Sequence, residues 1–230
     1  MNLLAIDTST HRAAVAVQTR DGATHVATPD PTQRHGRNLI PVLRDLLGAA
    51  GLAVADLDAV AVGLGPGSYT GLRIGLTAAK TLAYTTGCPL VGLDSLEVIA
   101  QNAPADEPRV SIIADAQRGD LYVADFVRSA PAALLVRATP TRIAAAADWS
   151  SGLTEPTLVL GPGLERLATP LPQTARPAAA ESSWPEGLGL LRLARASWLA
   201  GQRDDPMFLE PRYLRRSAAE EQWERTRPRT

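Results

Sequence analysis

One short pattern, present twice, constrains the fold of this 230-residue chain more than any other feature. The apolar run Leu4-Ala5-Ile6 ends in Asp7, and a later apolar run leads into Leu64-Gly65-Pro66-Gly67. The same marks return in the same order as Ile112-Ile113-Ala114-Asp115 and then Leu160-Gly161-Pro162-Gly163. Strand-end aspartates and Leu-Gly-Pro-Gly turns in matching order predict a duplicated unit. Coincidence is the alternative in a chain with 18 Gly and 18 Pro.

The elements between these marks read as alternating strands and helices. Leu3 to Ile6 and Ala13 to Val17 are uninterrupted apolar runs, the pattern of strands covered on both faces. Asp21-Gly22 signals a turn into a third strand at Thr24 to Thr28. A helix beginning near His35 to Asn38 carries Leu39, Val42, Leu43, Leu46 and Leu47 on one stripe and closes at Gly51. A strand at Leu57 to Val62, a helix at 71–86 ended by Gly87, a strand at Pro89 to Gly92 and a helix capped by Ser95 follow. The predicted order is β-β-β-α-β-α-β-α. A linker at 103–108 precedes the second copy, and a Pro-, Ala- and Ser-rich loop at 169–186 leads to a last helix over 187–200. A polar tail follows from Ser217.

Composition excludes several classes of function. A net charge of −1 argues against a broad basic face for nucleic acid. The single cysteine, Cys88, allows no intrachain disulfide and reads as a small core residue. No run of ~18 apolar residues is present, so no membrane span is expected. The first ten residues hold Asp7 and lack a basic start, so no leader is expected and the cytoplasm is the expected location. His11, His25 and His35 form no metal-binding pair, no GxSxG elbow occurs, and no metal is expected.

Four stretches carry candidate chemistry, each with two open readings. Asp7-Thr8-Ser9 suits either a metal-bound phosphate or a polar strand exit. The turn at Gly65, Gly67 and Ser68 before a helix suits either an anion on free backbone N–H groups or a tight helix start against the sheet. Gly71, Gly75, Ala79 and Ala83 recur every four residues, flanked by Leu72, Leu76 and Leu82. Such a stripe packs closely against the chain's own sheet or against a partner's helix. Arg212, Arg215 and Arg216 around Tyr213 suit RNA phosphates or, beside Glu220, Glu221 and Glu224, a solvated mixed-charge face.

These residues together resemble the TsaB (YeaZ) family. The resemblance is carried by Leu4-Ala5-Ile6-Asp7-Thr8-Ser9, by GLGPGSYTGLRIG from Gly63 to Gly75 and by Pro89 to Leu96. It continues through Ile113-Ala114-Asp115-Ala116, Gly119-Asp120-Leu121-Tyr122 and Pro211-Arg212-Tyr213-Leu214-Arg215, and is loose over 129–205. It implies an α/β, actin-like (ASKHA) fold of two lobes, each a ribonuclease H-like β-β-β-α-β-α unit. The expected divisions are a first lobe at 1–102, a second at 103–205 and a tail at 206–230.

The resemblance further implies a non-catalytic scaffold of the tRNA threonylcarbamoyladenosine synthase complex. Its implied partners are a TsaD-like catalytic paralogue, a TsaE-like ATPase and, through the complex, tRNA, with a homodimer formed when alone. The paralogue's HxxxH metal motif falls on Ser95 and Ile99 here, and Ile99 has no donor atom. The same absence argues against the peptidase chemistry once attached to the family by homology. The implied partner surface is the first-lobe helix pair, with Leu39, Leu43, Leu46, Gly71, Leu72, Gly75, Leu76, Ala79, Leu82 and Ala83. Asp7, Thr8, Ser9, Gly65, Gly67 and Ser68 form a degenerate phosphate-binding set, with ATP or ADP bound weakly and no tightly bound cofactor. An ATP-dependent phosphotransferase of the sugar- or acetate-kinase class is the alternative function, motivated by Asp7 and the glycine turns and needing a catalytic acid or base such as Asp115.

Overall fold

The computed structural model describes residues 1–167, 170–215 and 223. The tail from Ser217, apart from residue 223, and the charges at Arg216, Glu220, Glu221 and Glu224 lie outside the described residues. The first lobe runs β1 (Leu3–Asp7), β2 (Ala14–Gln18), β3 (Thr24–Ala27), α1 (His35–Ala49), β4 (Ala59–Gly63), α2 (Tyr69–Thr86), β5 (Leu90–Leu93) and α3 (Ser95–Ala100), in the predicted order, with one 3₁₀ turn at Val54–Asp56. Its sheet is ordered β3-β2-β1-β4-β5. β1 pairs antiparallel with β2 and parallel with β4, and β4 pairs parallel with β5.

The strands of this sheet alternate large and small apolar residues, and that alternation decides what covers each face. Leu4, Ile6, Val15, Val17, Val60 and Val62 meet α1 and α2 through Leu39, Leu43, Leu46, Leu47, Leu76 and Ala79. The opposite face is mostly alanine, with Ala5, Ala14, Ala16, Ala59 and Ala61. α2 starts where Ser68 Oγ accepts the Gly71 N–H at 3.1 Å and stops at Gly87, whose φ of 71° is left-handed. α3 starts at Ser95, where the sequence suggests, but its cap lies one residue earlier. Asp94, not Ser95, is its cap and accepts from the Leu96 and Glu97 N–H groups at 2.9 and 3.1 Å. Ser95 Oγ is turned back to accept the Gly65 N–H at 3.1 Å.

The second lobe runs β6 (Arg109–Asp115), β7 (Asp120–Val127), β8 (Val136–Arg137), β9 (Arg142–Ala145), α4 (Ala146–Ser151), β10 (Thr157–Leu160) and β11 (Ala175–Pro177). Its sheet is ordered β11-β10-β6-β7-β8, with β9 also on β7. β6 is antiparallel to β7 and parallel to β10, and β10 is parallel to β11. That is the first sheet's plan repeated strand for strand, with β6 in the place of β1 and β10 in the place of β4. The two Leu-Gly-Pro-Gly turns occupy matching sites, and Gly65 and Gly161 both have positive φ, 93° and 113°. The second copy is reduced. The six-residue α4 stands in place of α1, and a 3₁₀ turn at Pro162–Arg166 stands in place of α2, so the β-β-β-α-β-α expectation holds there only in outline.

The last helix, α5 (Gly187–Leu199), leaves the second lobe and lies on the alanine face of the first sheet. Leu190, Leu191, Leu193 and Ala194 cover Ala5, Ala16, Ala59 and Ala61. The expected second lobe at 103–205 therefore includes a helix that completes the first lobe's core. The physical reason is that small side chains leave room for a close helix, and the face would otherwise be bare to water. A Cβ added at Gly187 would lie 3.1 Å from Ala16 Cβ and 2.6 Å from Val26 Cγ1. Residues 202–215 then run along the first lobe, with Asp204 N–H on Leu90 O at 2.9 Å and Arg212 N–H on Leu64 O at 2.8 Å.

Candidate functional site

Asp7 ends β1 and is wholly buried. Its Oδ1 accepts the Ser9 N–H at 2.8 Å, and among the described residues no well-formed hydrogen bond reaches Oδ2. Burial pushes its carboxyl pKa up, and the Ser9 N–H pulls it partway back. Gly63 opposes it so closely that an added Cβ would sit 2.1 Å from Oδ2. Asp7 is thus sealed between β4 and α3. Thr8 is also sealed, its Oγ1 donating to Gly71 O at 2.7 Å.

The stripe of small residues on α2 faces this strand end. An added Cβ would lie 2.1 Å from Thr8 O at Gly71 and 2.2 Å from Thr8 Oγ1 at Gly75. Ala79 and Ala83 continue the stripe into the first core. The close approach is therefore between α2 and its own sheet, and these four residues present no surface to a partner. The same holds for Leu43, Leu46, Leu72 and Leu76, all buried inside the chain. The sequence period places these residues on one face of the helix, and the sheet, not a second chain, occupies that face.

Two concave surfaces remain around these elements. The first is the cleft between the lobes, about 460 Å³, walled by Ser9, Thr10, His11 and residues 66–70 on one side and by Asp115, Gln117, Glu165, Arg166 and Trp184 on the other. Of the phosphate-binding set, Ser9, Gly67 and Ser68 reach this cleft, while Asp7, Thr8 and Gly65 do not. Trp184 closes one end, edge-on to His11 with ring centres 4.5 Å apart. Asp115 and Arg166 approach to 3.8 Å across its second-lobe wall.

The second surface is a groove of about 640 Å³ between α1 and α2. Leu39, Ile40, Ile74, Ala78 and Leu82 give it an apolar floor, and His35, Tyr69, Thr70, Arg73, Thr77 and Thr81 give it a polar margin. Of the residues expected at a partner interface, Leu39 and Leu82 border it. Ile40, Ile74 and Ala78 do so without having been singled out, because they fall off the stripe that the core claims. Ile40 is 61% exposed, and Tyr84, farther along α2, is 84% exposed, which are large values for apolar and aromatic side chains. His35 Nε2 lies 2.7 Å from Thr10 O and fixes the start of α1 to the β1 exit.

The arginines at the chain's end do something that neither sequence reading describes. Asp94 Oδ2 takes Arg212 at 3.0 Å and Arg137, from β8, at 2.8 Å. Tyr213 stacks on Tyr69 with ring centres 4.8 Å apart, and its hydroxyl accepts from Arg73 Nε at 2.9 Å. Arg215 donates to the carbonyls of Ala116 and Gln117 and pairs with Asp120 at 3.1 Å. Arg212 and Asp94 are 118 positions apart, a separation that no local pattern reveals.

Residues 27–146 match a protein-family model described as TsaD, tRNA N6-adenosine threonylcarbamoyltransferase. The chain is 35% identical over 164 residues to the tRNA threonylcarbamoyladenosine biosynthesis protein TsaB of Bacillus subtilis, covering 70% of this chain and 71% of that one. It is 35% identical over 130 residues to the protein of the same name from Escherichia coli, a match spanning 56% of either chain. A structure titled YeaZ from Pseudomonas aeruginosa superposes with a TM-score of 0.76 at 25% identity, over 93% of this chain and all of that one.

Proposed function

The chain belongs to the TsaB family of tRNA threonylcarbamoyladenosine biosynthesis proteins, and from that premise we propose that it is a non-catalytic subunit docking a TsaD-like paralogue on the groove between α1 and α2. The observation that carries this reading is the groove itself, an apolar trough with Ile40 largely open to water at its edge. The family model of the paralogue matches 27–146, a span that holds both helices. A paralogue with a matching helix pair would seat on this one about a pseudo-twofold axis, burying both troughs in a four-helix contact. A second copy of the chain would use the same surface when the paralogue is absent. A TsaE-like ATPase and tRNA join through the paired subunits.

Absence of turnover by the subunit alone is part of this proposal. Ser95 and Ile99 stand where the resemblance puts the paralogue's metal ligands, with the Ser95 hydroxyl engaged by Gly65 N–H and Ile99 packed in the second core. The cleft takes ATP or ADP weakly at best in this reading, since Asp7 is walled off from it. The same enclosure counts against a phosphotransferase that needs Asp7 at a bound phosphate.

Thr77→Arg tests the docking surface. Thr77 is an exposed wall of the groove, so a long cationic side chain there obstructs the trough without entering the core. The expected outcome is a loss of at least about tenfold in affinity for the paralogue, or about 1.4 kcal/mol, in a calorimetric titration. Wild-type affinity in the folded variant would move the interface elsewhere.

A further inference from the structure

We infer that residues 212–215 form a latch that limits how far the cleft between the lobes can open. The first-lobe grip is threefold. Arg212 N–H is held by Leu64 O at 2.8 Å, its guanidinium by Asp94 at 3.0 Å, and the Tyr213 ring by Tyr69 and Arg73. The second-lobe grip is Arg215, on the carbonyls of Ala116 and Gln117 and on Asp120.

Both grips sit on walls of the cleft. Tyr69 lines it from the first lobe, and Gln117 lines it from the second. Gln117 and Arg118 have positive φ, 66° and 58°, so the turn that Arg215 holds is a tight one. Tyr213 and Arg215 are two positions apart, and two extended residues span no more than about 7 Å. While both grips hold, the two walls cannot separate by more than that short chain and the reach of one arginine.

The chain itself crosses between the lobes at two other places, through α3 and the segment after it and through the segment that leads from the second lobe into α5. Leu96, Ile99 and Ala100 of α3 pack in the second core, while Val98 packs with α5 on the first sheet and the cap, Asp94, also takes Arg137 of the second lobe. A short helix shared by the two cores is a pivot between them. A pivot with a short strap across the opening gives a cleft whose widening the strap limits. The sequence order supports this division of work, because the chain returns to the first lobe through α5 before it crosses the opening.

Spin labels on the two lobes report the width directly. Asp45 on α1 and Ser151 at the end of α4 are exposed and, in a Cys88→Ser background, can be changed to cysteine and labelled. Pulsed dipolar spectroscopy is then run with Arg215→Ala and, separately, with Asp120→Asn, a gentler change that weakens the same grip. The expected result is a longer or broader distance distribution in both, with a displacement larger than about 3.5 Å, one extended residue. If Arg215→Ala does not fold, Asp120→Asn decides. Wild-type distributions in folded variants would overturn the latch and leave the segment as packing only.

Discussion

Asp7 and Gly75 show how single residues here serve packing in places where the sequence suggests chemistry. Asp7 is a strand-end acid with a raised pKa, and its burial behind Gly63 is the cause. Its folded-state pKa lies above the value near 3.9 of an unfolded aspartate. The stabilisation from the neutral acid is therefore complete below the unfolded pKa and is lost as pH rises through the folded one. Asp7→Asn carries no such loss. Urea titrations of both proteins across acid to neutral pH are expected to show the wild type losing stability relative to the variant as pH rises. A constant difference would mean that Asp7 is not held neutral.

Gly75 gives the second residue-scale prediction. Were α2's stripe a partner surface, bulk at Gly75 would abolish pairing and leave the fold intact. With Thr8 Oγ1 at 2.2 Å from an added Cβ, even Gly75→Ala overpacks the lobe. A loss of about 1–3 kcal/mol in unfolding free energy is expected for the isolated chain. An unchanged midpoint would return the stripe to the surface.

At the scale of elements, α3 separates what Asp94 does as a cap from what it does as a charge. Asparagine caps about as well as aspartate, and alanine does not. Asp94→Asn is expected to keep α3's first turn while loosening Arg212 and Arg137, and Asp94→Ala is expected to lose a further ~1 kcal/mol in urea unfolding. Equal losses would mean that the cap contributes nothing. The elements also show what was legible in the sequence. α1 and α2 were readable because a local period and the closing glycines Gly51 and Gly87 mark them, whereas the capping Ser68 is seen only in the structure. The face that each helix turns to water was not, because periodicity tells which residues share a side and not what that side meets. Ile40 and Ile74 escaped notice for that reason. The residues 212–215 escaped because their partners, Asp94 and Asp120, are far away in sequence.

At the scale of the molecule, the duplication read from two aspartates and two glycine turns appears as two sheets with one strand plan. What the repeat could not show is how unequal the copies are. The first lobe keeps two long helices and borrows α5 as a third, while the second has the six-residue α4 and 3₁₀ turns. The long helices leave an apolar trough on the first lobe, and the proposed function rests there. No helix among the described residues is long and apolar enough to cross a membrane. Asp7, the residue most suggestive of an independent enzyme, is closed off from the cleft between the lobes.

Size-exclusion chromatography with light scattering tests the central claim most directly, on the chain alone, on an equimolar mixture with the TsaD-like protein of the same genome, and on both again with Thr77→Arg. The account predicts a homodimer that exchanges into a one-to-one heterodimer, with both species weakened by the substitution. A monomer that ignores the paralogue, or a heterodimer that forms equally well with Thr77→Arg, would contradict it.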